Sequence, residues 1–299
     1  MLSPTGRKLE AADEPVSAID AHTHFYDPTR PQGVPWPSKD DTVLYRRVLP
    51  DEFKKLTRDE HVTGTIVIEA SPWLEDNQWL LDLAAREPFI LGVVGRLEST
   101  SDDFAKHLDR FAKNKLFRGI RINHDELKAV PDRREQFDRM RLLAQRDLEL
   151  DANGGPEMPA DVARLARAIP ALRIVINHAA NLTIDGKAVP DAWLTGMRAA
   201  AANEWVFCKV SALVEGTRKT NRDAPANVDF YRPVLDALWN VFGEDRLIYG
   251  SNWPVSERAA PYATVYQIVS AYFERKGRSV LEKFLRRNAE VAYQVAQRN

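Results

Sequence analysis

Eight short apolar runs, each bounded by turn residues, recur along the 299-residue chain and alternate with segments of helical periodicity. The runs span 17–24, 63–70, 90–97, 117–123, 148–152, 172–178, 205–211 and 246–252. Between them, 75–86 carries apolar residues at 79, 80, 83 and 84, one face of a helix, and Ser101-Asp102-Asp103 opens the next helix with capping residues. Segments 132–145, 160–168, 191–202, 228–242 and 261–272 continue the pattern, and a final helix over 280–296 closes the chain. Strands alternating with helices pair in parallel through crossovers. The absence of a Gly-rich phosphate loop argues against an open doubly wound sheet. The pattern therefore predicts an α/β fold, a single (β/α)8 TIM barrel, with residues 1–299 as one domain.

One unit departs from the rule. The segment 25–50 after the first strand is long, irregular and carries Pro28, Pro31, Pro35 and Pro37. Loops after barrel strands sit on the face that holds the site. This one is expected to fold over the mouth as a lid and to lend Trp36 or Tyr45 to the pocket wall; a flap packed for structure alone is the alternative.

Lys and Arg total 42 against 43 Asp and Glu, a net charge of −1, so neither nucleic acid nor a membrane surface is an expected partner. No apolar run approaches ~20 residues, and Met1 to Lys8 lacks a signal core. The single Cys208 cannot form an internal disulfide. A cytoplasmic protein acting on a small molecule is the default expectation, with a homo-oligomer left open.

Strand carboxyl ends converge in a barrel, so polar residues there are site candidates. His22 and His24 end the first strand two residues apart, which places both imidazoles on one face. Glu69 ends the second, Arg121 and Asn123 the fourth, Asp151 and Asn153 the fifth, His178 the sixth, Lys209 and Ser211 the seventh, and Asn252 the eighth. Each has an ordinary structural reading, such as an inter-strand ion pair for Arg121 or a charge snorkelling at the rim for Lys209. Their recurrence at nearly every strand end favours function.

Ile19-Asp20-Ala21-His22-Thr23-His24 resembles the first-strand motif of the amidohydrolase superfamily. Glu75-Asp76-Asn77-Gln78-Trp79-Leu80-Leu81, Gly119-Ile120-Arg121-Ile122-Asn123, Cys208-Lys209-Val210-Ser211, Arg246 through Val255 and Asn288-Ala289-Glu290-Val291-Ala292-Tyr293 resemble its lactonase-like branch. That branch includes 2-pyrone-4,6-dicarboxylate lactonase and the L-fucono- and L-rhamnono-lactonases. Three departures matter. The family's eighth-strand Asp, a general base or metal ligand, is Asn252 here. Its sixth-strand Asp-His-x-Gly reads Asn177-His178-Ala179-Ala180, and the fifth-strand His of two-metal members is missing. An amide cannot accept a proton near neutral pH.

The resemblance implies hydrolysis of a small oxygen-rich lactone, of sugar or pyrone-carboxylate type, by water. His22, His24 and His178 would surround the carbonyl, either directly or holding at most one divalent ion, zinc by ligand type. Arg121, Asn123, Lys209 and Ser211 would bind substrate, and Asn252 would orient water without deprotonating it. Asp20, Asp151 and Glu69 are the strand carboxylates left to serve as base, with Asp20 better placed to brace the histidines. On this reading Asn252→Asp raises lactone hydrolysis about 10²-fold. Two rivals stand beside it: a catalytically impaired ligand-binding homologue, and a metal-dependent decarboxylase of the same superfamily.

Overall fold

The structure, a computed structural model, describes residues 15–298. The segment Met1 to Lys8, in which no signal core was expected, and Asn299 lie outside the described residues.

The expected alternation folds as a (β/α)8 barrel. Strands β1 (Ala18–Thr23), β2 (Val62–Ile68), β3 (Ile90–Gly95), β4 (Phe117–Asn123), β5 (Glu149–Asn153), β6 (Ile174–Ile176), β7 (Val206–Val210) and β8 (Leu247–Tyr249) form one sheet in sequence order. Every neighbouring pair is parallel. Around them run α1 (Pro50–Leu56), α2 (Leu74–Arg86), α3 (Phe104–Ala112), α4 (His124–Ala129), α5 (Arg134–Gln145) and α6 (Met158–Ala168). The second half adds α7 (Asp191–Ala201), α8 (Leu213–Gly216), α9 (Val228–Phe242), α10 (Tyr262–Glu274), α11 (Arg278–Glu282) and α12 (Asn288–Tyr293).

Because helices cover one face of the sheet and the barrel interior the other, the strands must be apolar on both. Ile120, Leu150, Ile176, Val210 and Leu247 belong to the large cluster that packs against the helices. Ile66, Ile68, Val94, Val175, Phe207 and Ile248 form a second cluster inside the barrel, joined by Ala289, Ala292 and Tyr293 of α12. Toward the carboxyl ends this inward row turns polar, through Arg121, Asp151, Lys209 and Ser211, as the period of two requires.

Closure between β8 and β1 uses residues just past β8. The amide of Asn252 donates to the carbonyl of His22 and that of His24 to the carbonyl of Trp253, both at 2.9 Å. The buried Asp20 carboxylate reinforces the seam. Its Oδ1 accepts from the amides of Ser251 (2.9 Å) and His22 (3.1 Å), and its Oδ2 accepts from the Tyr262 hydroxyl (3.1 Å).

Two elements differ from the sequence expectation. Strand β6 stops at Ile176 because His178 to Asn181 adopt left-handed backbone, with φ between 47° and 58°. The expected single helix over 280–296 is broken by a π-type turn at Lys283–Arg287, and Gln294 at φ 51° ends α12.

Asp20→Ala leaves three buried donors without an acceptor. Each such loss costs about 1–3 kcal/mol, so the variant is expected to lose roughly 3 kcal/mol or more in urea denaturation. A loss below about 1 kcal/mol would mean that the seam does not depend on this carboxylate.

Candidate active site

The three strand-end histidines meet. Ring centroids of His22 and His24 lie 5.0 Å apart, and those of His22 and His178 lie 4.3 Å apart. Gly250 lets the chain after β8 lie close against His22, since a Cβ there would stand 2.9 Å from the Cβ of His22. All three rings are buried. Burial, helped by the nearby charges of Lys209 and Arg121, holds the imidazoles neutral: His22 and His178 titrate well below the usual range and His24 is lowered to about 3.

Each ring is held by a different element. His24 Nδ1 is 3.0 Å from the carbonyl oxygen of Ile68 on β2, and the side chain of Asn252 lies beside its ring. His178 Nδ1 is 2.8 Å from Ser211 Oγ. His22 Nδ1 is 3.2 Å from Lys209 Nζ, which donates at 2.6 Å to Asp151 Oδ2. The Tyr293 hydroxyl, rising from α12, donates to the other Asp151 oxygen at 2.8 Å.

Beside His24 opens a cavity of about 460 Å³, a size suited to a small molecule, whose wall does not include His22, His178 or Asn252. His24, Trp36, Glu69, Ser71, Arg96, Arg121, Asn123 and Asn153 line it. Both arginines are already paired. Arg121 donates to Glu69 Oε1 and to the Glu69 carbonyl, each at 2.9 Å, while Arg96 grips both carboxylate oxygens of Glu126.

The long segment after β1 lies over this mouth. Arg30 bridges to Asp76 at 2.9 Å and stacks on Trp79, Arg46 pairs with Glu257 at 3.0 Å, and Arg258 pairs with Asp41. Trp36 meets His24 edge-on at 6.0 Å between centroids.

Several expected positions take other roles. Tyr45 is not among the cavity-lining residues; the ring the loop does supply is Trp36. Lys209 and Ser211 do not reach the cavity either. Their inward direction ends beneath the histidines, where Lys209 serves Asp151 and His22, and Ser211 serves His178. Arg121 and Asn123 do line the wall, although Asn123 Oδ1 also caps α4 by accepting from the Glu126 amide. Asp20 grips main chain at the seam and touches no imidazole.

Asn252, at φ 60°, donates from Nδ2 to Glu215 Oε1 at 2.7 Å. Glu215 sits on α8, and its Oε2 is buried without a partner. Burial raises this carboxyl to about 7. Glu215 and Arg96 both escaped the sequence reading. Arg96 stood inside an apolar run, one position past the end of β3. Glu215 had no local signal, because the turn at Ala212, φ 52°, is what brings α8 back to the mouth.

A divalent ion fits this donor set poorly. Among the described residues no group of three or more His, Cys, Asp or Glu side chains is placed to hold a metal ion. The expected set of His22, His24 and His178 is therefore not arranged as ligands. The cations Lys209 and Arg121 act on the rings, and Asn252, which stands where the resemblance expects an Asp, is neutral.

The sequence family agrees with the barrel and its strand-end groups: a model of the amidohydrolase family matches residues 19–295. The chain belongs to the amidohydrolase family. Among its relatives, an L-fucono-1,5-lactonase of Burkholderia ambifaria is 34% identical over 252 residues, covering 82% of each chain. A crystal structure of an amidohydrolase from Burkholderia multivorans with bound HEPES superposes with a TM-score of 0.82 at 26% identity, covering 94% of this chain and 100% of the other. A second crystal form of that protein, with bound zinc, gives a TM-score of 0.81 at 25% identity over the same shares. Zinc is thus found in a related amidohydrolase.

Proposed function

We propose that the protein is a lactonase that opens a neutral, polyhydroxylated sugar lactone by attack of water on the ring ester. The observation that carries this reading is the charge balance of the cavity. Arg121 with Glu69 and Arg96 with Glu126 present two neutralised pairs, rich in both donors and acceptors. Such a wall matches hydroxyl groups. A dicarboxylate would instead call for an unpaired guanidinium fork. The 34% identical relative named an L-fucono-1,5-lactonase supports the same choice. The sharing of one sheet by all eight strands supports reading residues 1–299 as one domain.

In the proposed step, a water oxygen bonds to the lactone carbonyl carbon while the carbonyl oxygen takes up negative charge beside the histidines. The water proton passes to the Glu215 carboxylate, which the amide of Asn252 holds at the site. When the intermediate collapses, the ring C–O bond breaks and the leaving oxygen recovers that proton, giving a hydroxy acid. With the donor set described above, no resident metal is assigned to the step. Neither an impaired ligand-binding homologue nor a decarboxylase is favoured, because a protonatable carboxylate, Glu215, stands against Asn252.

The pH dependence follows from the direction of the Glu215 shift. A carboxyl raised to about 7 is mostly protonated at pH 6 and cannot accept a proton. Lactonase kcat/KM is therefore expected to rise with pH and level off above about 7. Glu215→Gln should lower kcat by ~10²–10⁴ and remove that limb. The neighbour also changes what Asn252→Asp does. Two carboxylates 2.7 Å apart would share a proton, so the single variant should gain nothing at neutral pH. The exchanged pair Glu215→Gln/Asn252→Asp should recover at least tenfold over Glu215→Gln, within the general-base range. An unchanged pH profile in Glu215→Gln would place the proton acceptor elsewhere.

A second test addresses the lid. Trp36→Ala should raise KM for a sugar lactone about tenfold with kcat little changed, the size of one lost aromatic contact. An unchanged KM would show that the loop does not shape the substrate site.

A further inference from the structure

The three histidines are chemically alike in sequence, but their partners are not. A neutral imidazole has one N–H and one lone pair, and whichever nitrogen faces a pure donor or a pure acceptor decides which is which. The Ile68 carbonyl can only accept, so His24 Nδ1 carries the proton and its Nε2 offers a lone pair. The ammonium of Lys209, salt-bridged to Asp151, can only donate. His22 Nδ1 therefore offers its lone pair to Lys209, and the proton stands on Nε2.

His22 Nε2 is buried and has no hydrogen-bond partner. A buried N–H is rarely left unpaired, and a ligand, an ordered water or an ion usually completes it. Lys209 has no freedom to act otherwise. It is fully buried, bonded to Asp151 at 2.6 Å and set 5.2 Å from the centre of the Tyr293 ring, whose hydroxyl holds the far side of Asp151.

We infer that Lys209 and Ile68 set the two histidines of the first strand to opposite tautomers, His22 as a hydrogen-bond donor to the carbonyl oxygen of the substrate and His24 as an acceptor. This makes Lys209 a positioning residue for the reaction. The role assigned to His22 rests on the lactonase reading; the tautomers themselves do not. During the step His22 keeps its proton and shares it with the oxygen as charge develops there, which is where a preorganised donor acts. The same arrangement opposes a metal ion shared by both Nε2 atoms. Such an ion would have to expel the His22 proton and sit one ring away from the Lys209 charge.

Nitrogen NMR of protein labelled at histidine tests the assignment without substrate, with His22→Asn and His24→Asn identifying the signals. The expected spectrum shows His22 protonated at Nε2 and His24 at Nδ1. The same tautomer at both would overturn the proposal. Stoichiometric zinc uptake by the wild-type protein in a calorimetric titration with zinc chloride would also overturn it. Lys209→Met/Asp151→Asn removes the buried charges together, so that neither is stranded. A folded double variant should lose ~10²-fold or more in kcat on a sugar lactone with little change in KM, the range seen when one oxyanion donor is removed. An unchanged kcat would overturn the role given to Lys209. A wild-type protein that hydrolyses no lactone would defeat the functional reading, while the tautomers would still stand or fall on their own signals.

Discussion

The carboxylate of Asp20 is the interaction on which the rest of the molecule depends. A barrel of eight parallel strands is complete only when the last strand meets the first, and here the ladder between β8 and β1 is short. Asp20 compensates by holding the amides of His22 and Ser251 and the hydroxyl of Tyr262 from a fully buried position. Burial raises its pKa to about 6, against the lowering effect of those same bonds. The grip places His22 on one side of the seam and Asn252 on the other. The closure of the fold and the alignment of the site are therefore one event.

A second theme is that the charges near the cavity are matched before any ligand arrives. Lys209 has Asp151, Arg121 has Glu69, and Arg96 has Glu126. Burying a charge without a partner is costly, and a buried pair holds its geometry because either member alone would be worse. Glu149 shows the other resolution. It is fully buried beside Asp151, and burial together with that neighbour pushes its pKa well up, toward the neutral acid. The outcome is a rigid polar floor beneath neutral imidazoles.

Left-handed backbone follows three of the strands at this end of the barrel. His178, Ala179, Ala180 and Asn181 after β6, Ala212 after β7 and Asn252 after β8 all have positive φ. Such conformations cost energy in residues with a Cβ and persist where surrounding contacts over-determine them. Ala180, at φ 58°, occupies the place where the related sixth-strand motif carries glycine, the residue that tolerates this geometry best. The left-handed turn shortens β6 and brings the His178 ring against His22.

How much of this was legible in the sequence depends on the range of the interactions involved. Alternating apolar runs and helical faces announce a (β/α)8 barrel because each period is a local property of the chain. The period of two placed His22 with His24, and Lys209 with Ser211, on common faces. It could not show how deep each would lie, so Lys209 and Ser211 turned out to support histidines where substrate contacts were expected. The contact between Glu215 and Asn252 spans 37 residues and that between Lys209 and His22 spans 187. The barrel and the set of strand-end groups follow from local periodicity and are written in the order of the residues. Which nitrogen each histidine presents and which carboxylate faces Asn252 are settled by folding, because a proton's position answers to whichever donor or acceptor the folded chain brings within about 3 Å.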